Sequence, residues 1–107
     1  MIRVIDGKRY DTDKAELIFS WDNGRGCGDF RQREKSLFRT SKGAWFIYHS
    51  GGPMTDMSVA VGDGMGGSED IEPVDADDAY GFLEAHSDDR DALRMIDEHF
   101  ADRVEDA

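Results

Sequence analysis

The chain is poor in cysteine, proline and histidine: it holds one Cys (Cys27), two Pro and three His. A lone thiol excludes an internal disulfide and fits a reducing compartment. It also removes the paired thiols of zinc and dithiol redox centres. His49, His86 and His99 never recur at metal-ligand spacing such as H-E-x-x-H, so neither a metal nor any other cofactor is expected. No apolar run approaches the ~18 residues that span a bilayer, and the N-terminus lacks the apolar stretch of a signal peptide. Basic residues are also scarce, with 13 Lys or Arg against 24 Asp or Glu and a net charge of -11. That balance argues against nucleic acid as a direct ligand, because phosphates need a basic partner.

What is present is sufficient for one core. The 107 residues are 38% hydrophobic and 10% aromatic, too apolar for a disordered acidic tail. The expectation is one compact domain over 1–107, without membrane contact, in the cytoplasm of a host cell. The charge is unevenly placed. Residues 1–50 hold ten basic and seven acidic side chains, whereas 51–107 hold three and seventeen. General acidification for solubility would act on both halves, so the asymmetry hints at an interaction surface.

Asp6-Gly7 between Ile2–Ile5 and Lys8–Tyr10 predicts a type I′ hairpin. Asp11 or Thr12 offers an N-cap, and Ala15, Ile18 and Phe19, with Leu17 and Trp21 alongside, suggest a helix over 13–21 ended by Asn23-Gly24. A strand-like stretch is expected near Phe30–Gln32. The clearest hairpin is Lys35–Thr40 with Ala44–Ser50 around Ser41-Lys42-Gly43. Met57–Val61 reads as a short strand, Gly62–Gly67 as a loop, and Ile71–Val74 as an edge segment because Pro73 cannot donate to a central ladder. Asp75 with Asp78 caps a helix carrying Ala79, Phe82 and Leu83, and Ser87 is expected to cap a second carrying Ala92, Leu93, Ile96 and Phe100. The fold class expected is α+β: an antiparallel sheet of four to five strands, one early helix and two C-terminal helices.

Motifs for chemistry fail on context. Gly62, Gly64 and Gly67 match G-x-G-x-x-G, but Ser68-Glu-Asp-Ile-Glu-Pro73 follows where a helix must open. No Walker A lysine motif exists, and the runs at 75–78 and 87–91 lack the EF-hand glycine and terminal glutamate. A Cys27–His49 nucleophile pair has no positioned base behind it. Seventeen carboxylates in the second half give no reason to choose an acid–base pair. The basic cluster Arg25, Arg31, Arg33, Lys35, Arg39 and Lys42, interleaved with Phe30, Phe38 and Trp45, superficially resembles a nucleic-acid strand surface. Alternation puts Arg31, Arg33 and Lys35 on one face, where pairing with the acidic helices is the simpler reading.

The acidic helices are the candidate site. Asp75, Asp77, Asp78 and Glu84 on the first, and Asp88, Asp89, Asp91, Asp97 and Glu98 on the second, flank or oppose the apolar faces. Carboxylates so spaced approximate the charge spacing of a duplex, one per ~1.7 Å of axis. Such a surface suits a protein partner with a basic nucleic-acid-binding groove and steers association at low salt. A solvated face kept for solubility is the bland alternative. The preference for Asp over Glu, 17 to 7, and for Arg over Lys, 9 to 4, also fits a salt-adapted or GC-rich host.

The string Gly7-Lys-Arg-Tyr-Asp-Thr12, then Ala15 and Trp21, then Glu34-x-x-Leu-Phe-Arg-Thr-x-Lys-Gly-x-Trp-Phe46, resembles a family of small proteins carried by bacteria, phages and mobile elements. Gly51-Gly52, Ile71-x-Pro73, Ala79 and Glu84-x-His86 extend the likeness, while the loop 22–29 and the more acidic tail depart from it. The resemblance implies a setting in which small acidic domains inhibit host defence, as anti-CRISPR proteins do, and it carries no catalytic residues. The leading expectation is a non-enzymatic inhibitor that places its acidic helices on a basic protein surface, with a CRISPR effector as the partner class. A second is an interaction or assembly module anchored by Trp45 or Tyr48 on the aromatic hairpin. A third is a small enzyme with an unlocated site.

Overall fold

A computed structural model describes residues 1–26 and 28–107. Along the chain run β1 (Ile2–Ile5), β2 (Lys8–Asp11), β3 (Glu16–Asp22), β4 (Arg33–Arg39), β5 (Trp45–Gly51), β6 (Val59–Val61), β7 (Gly64–Gly66), β8 (Ser68–Val74), α1 (Ala76–Ala85), α2 (Arg90–His99) and a 3₁₀ turn (Ala101–Arg103). The strands form an antiparallel four-stranded sheet in the order β3-β4-β5-β8 and two separate hairpins, β1-β2 and β6-β7. This α+β arrangement corrects the expectation of one sheet with an early helix. Among the described residues there are eight strands in three sheets, and both α-helices follow them.

The segment 13–21 fails to become a helix for a traceable reason. Asp11 does accept the Asp13 N–H at 2.9 Å, and Ala15 donates to the Asp11 carbonyl at 3.0 Å, but this makes one turn that does not propagate. Beyond it, β3 pairs with β4 through Leu17↔Phe38 and then Phe19↔Leu37, leaving Ile18 as an extra residue in a bulge. The bulge turns Ile18 and Phe19 into the same core, at 6% and 5% exposure. Two adjacent inward residues break the period of two and imitate helical spacing.

Elsewhere the local chemistry reads through. Asp6 and Gly7 have φ of 53° and 76°, the left-handed pair a type I′ turn requires. Gly43, at φ 87°, closes the β4-β5 turn. The residues expected as a strand near Phe30–Gln32 are turn and loop instead, and Gly64–Gly66, expected as loop, pairs with Val59–Val61.

Alternation along the sheet separates two cores. Leu37, Trp45 and Ile47 face α1 and α2, packing with Phe19, Ala79, Leu83, Ala92, Ile96 and Phe100. On the opposite face Phe46 and Ile71 meet Tyr10 of β2, with Met1, Ile5, Phe38 and Tyr48 around them. The helices and the β1-β2 hairpin therefore cover opposite faces of one sheet. Among the described residues, no helix is long and apolar enough to cross a membrane.

Candidate functional site

Both helices owe their starts to aspartate. Asp75 Oδ1 accepts the Asp78 N–H at 2.8 Å, and Asp89 Oδ1 accepts the Asp91 N–H at 2.8 Å. The second cap is thus Asp89, not Ser87, which lies in the connecting turn. Once capped, α1 buries Ala79 and Leu83 and α2 buries Ala92 and Ile96. The polar sides of both helices are left in solvent.

Asp75, Asp77, Asp78, Glu84, Asp88, Asp89, Asp91, Asp97 and Glu98 are all exposed. Three of them have side-chain partners. Arg103 donates to Asp77 Oδ1, Arg94 lies 3.5 Å from Asp91, and the Tyr80 hydroxyl donates to Glu84 at 2.7 Å. The bond to Asp77 holds the Arg103 guanidinium above its ordinary pKa, and the bond to Glu84 raises the Tyr80 phenol. Asp78, Asp88, Asp97 and Glu98 have no side-chain partner among the described residues. Over 75–107 twelve acidic side chains stand against three basic ones.

Leu93, expected on the apolar face, is 47% exposed. Ala92, Ile96 and Phe100 supply the buried stripe at intervals of four. Leu93 stands one residue off that line, within a turn of Asp89 and Asp97. The helical face therefore carries an apolar side chain among its acids.

Arg33, one of the basic residues expected to neutralise the helices, is engaged elsewhere. Arg33, 8% exposed, donates through Nε to Asp56 Oδ1 at 2.7 Å and through Nη1 to the Glu34 carbonyl at 2.6 Å. The hydrogen bond from Arg33 holds the Asp56 carboxyl below the usual carboxylate range. The Arg31 backbone N–H at 2.7 Å, with the Arg25 guanidinium alongside, likewise lowers the Asp29 carboxyl.

Trp45 is only 7% exposed, with its ring 5.3 Å from Phe100 and the Arg39 guanidinium 5.1 Å above it. It is a core residue, so its ring is not presented to a partner. Tyr48 is half-buried beside a shallow cavity of about 320 Å³ shared with Leu17, Ser20, Ser36 and Phe38, and its hydroxyl donates to Glu69 at 2.6 Å. Burial pushes the Tyr48 phenol up to about 12, and Glu69 adds to the shift.

The histidines occupy three separate places. His49 bridges Arg33 and Glu72, His86 stacks on Trp21 at 5.6 Å, and His99 meets Trp45 at 5.5 Å. Among the described residues no group of three His, Cys, Asp or Glu converges as a metal site. The Cys27–His49 pair lies outside the described residues on its Cys27 side.

No family model matches this chain, and no curated protein or solved structure matches it.

Proposed function

We propose that this protein is a non-enzymatic inhibitor whose α1-α2 face occupies a basic nucleic-acid-binding surface of another protein. One observation carries the reading: nine exposed carboxylates lie on α1 and α2 or at their caps and connecting turn, on one face of the sheet, and only Asp77 and Asp91 have a cationic partner among the described residues. Each helix has ten residues, so the carboxylates are spread along roughly 15 Å at 1.5 Å per residue. Unneutralised charge in such an array attracts a basic groove over long range and competes there with phosphates. The likeness to phage and mobile-element proteins makes a CRISPR effector, with its positively charged heteroduplex channel, the partner class. Action there places the protein in the host cytoplasm.

The experiment is a competition. An effector complex is titrated with this protein, and its DNA binding is measured across a salt series. Inhibition that weakens with salt and is abolished by Asp78→Lys, Asp88→Lys, Asp97→Lys and Glu98→Lys together supports the reading. These four positions spare both capping aspartates. Inhibition indifferent to the four reversals overturns it.

A further inference from the structure

The opposite end of the charge asymmetry contains a cavity. It measures about 530 Å³, and its lining includes Lys8, Arg9, Tyr10, Asp11, Lys14 and Lys42. Three separate stretches of chain converge on it: β2 with its turn, the loop after β2, and the β4-β5 turn. Three of the chain's four lysines and one arginine are therefore gathered at one place in a protein of net charge -11.

None of these four cations takes part in an ion pair among the described residues, although the chain has 24 carboxylates to offer. The single acid of the lining, Asp11, has its Oδ1 turned to the Asp13 N–H at 2.9 Å. Clustered like charges repel, so four unpaired cations around one hollow raise the free energy of the empty protein and lower it when an anion enters. The floor differs from the rim: Tyr10 is buried and Ala15 and Ala44 are half-buried, whereas Lys8, Arg9, Lys14 and Lys42 are exposed. The Ser41 hydroxyl adds a donor at the edge. The volume lies within the range of sites that hold small organic ligands.

We infer that this cavity binds a small anion carrying two or more linked phosphates, with the phosphates on the lysine and arginine rim. The site lies with the β1-β2 hairpin, on the sheet face away from α1 and α2, so it stands whether or not the acidic helices bind a partner. Two sources share the chemistry, a nucleoside polyphosphate and inorganic polyphosphate. The apolar floor beneath the rim matters only for the first.

Calorimetric titration of the native protein with ATP, tripolyphosphate and adenosine tests the inference. Saturable 1:1 binding of ATP or tripolyphosphate, with none of adenosine, is expected. Tighter binding of ATP identifies the nucleotide as the source, and equal or tighter binding of tripolyphosphate identifies the inorganic chain. Lys14→Ala with Lys42→Ala should weaken binding about tenfold or more, since each removes a charge-assisted contact. Arg90→Ala with Arg94→Ala removes the same charge from α2 and should leave binding within about twofold, because distant exposed charges are screened. Amide shifts of the native protein on titration should map to residues 7–15 and 40–44, a readout that needs no variant. No binding of either phosphate at millimolar concentration, or equal losses in the two double variants, overturns the inference.

Discussion

Arg33 Nη2 lies 2.8 Å from His49 Nδ1, and this contact dictates where the histidine keeps its proton. A guanidinium can only donate, so Nδ1 must be the bare, accepting nitrogen. The proton of the neutral ring then sits on Nε2, which donates to Glu72 Oε1 at 2.8 Å. The chain Asp56–Arg33–His49–Glu72 ties the loop after β5 to β4, β5 and β8.

Nitrogen-15 NMR of His49 should therefore show the Nε2–H tautomer. Arg33→Ala should lower stability by roughly 2–4 kcal/mol in urea denaturation, because a nearly buried group with several acceptors is removed. Arg33→Lys should restore only part of this, since an ammonium lacks the planar fork that serves Asp56 and His49 at once. The depressed Asp56 carboxyl adds an acid-side signature. Its contribution is present above the ordinary value of 3.8 and is lost as pH falls through the lower folded value. Asp56→Asn should flatten that part of the stability profile.

Tyr48 makes the alkaline counterpart. Its phenol is raised from 10.0 to about 12, so the folded state favours the neutral form. The stabilisation is full below pH 10 and is lost as pH rises through about 12. Tyr48→Phe should remove that decline. Ultraviolet titration should assign the delayed phenol to Tyr48 by its absence from the variant.

Two glycines should respond with opposite sign to the same substitution. A Cβ on Gly52 would sit 2.6 Å from the Phe30 carbonyl oxygen and 3.0 Å from that of Asp29, both backbone atoms. Gly52→Ala should destabilise by about 1–3 kcal/mol, as overpacking does. Gly81, exposed within α1, has nothing within 4 Å of the added atom, so Gly81→Ala should stabilise by about 0.5–1 kcal/mol. Thermal melts of the two variants check both.

Legibility followed the range of the interaction. The Asp6-Gly7 turn, the β4-β5 hairpin and the Asp75 cap were readable because each is decided by a few neighbouring residues. The β3 strand was not, because its bulge is set by pairing with Phe38 and Leu37, some twenty residues away. The exposure of Asp77, Asp78, Glu84, Asp91, Asp97 and Glu98 followed from helical periodicity. The burial of Trp45 did not, since alternation in a hairpin cannot say which face a helix will cover. The cationic cavity was equally hidden: Lys8, Lys14 and Lys42 look like scattered surface charges until β2 is placed beside the β4-β5 turn.

The acids of the two helices divide into those that stabilise the fold and those that do not. Asp75→Ala and Asp89→Ala should each cost about 1 kcal/mol, since each loses a cap. Asp97 and Glu98 instead lie in the last turn of α2, at the negative end of the helix dipole, and have no side-chain partner among the described residues. Asp97→Asn with Glu98→Gln should therefore raise stability by roughly 0.3–1 kcal/mol. The same pair should weaken binding to a basic partner, most clearly at low salt. Carboxylates that lower stability where they stand yet raise affinity are held for an interaction. Neutral variants that gain stability and bind undiminished would return these two residues to solubility alone.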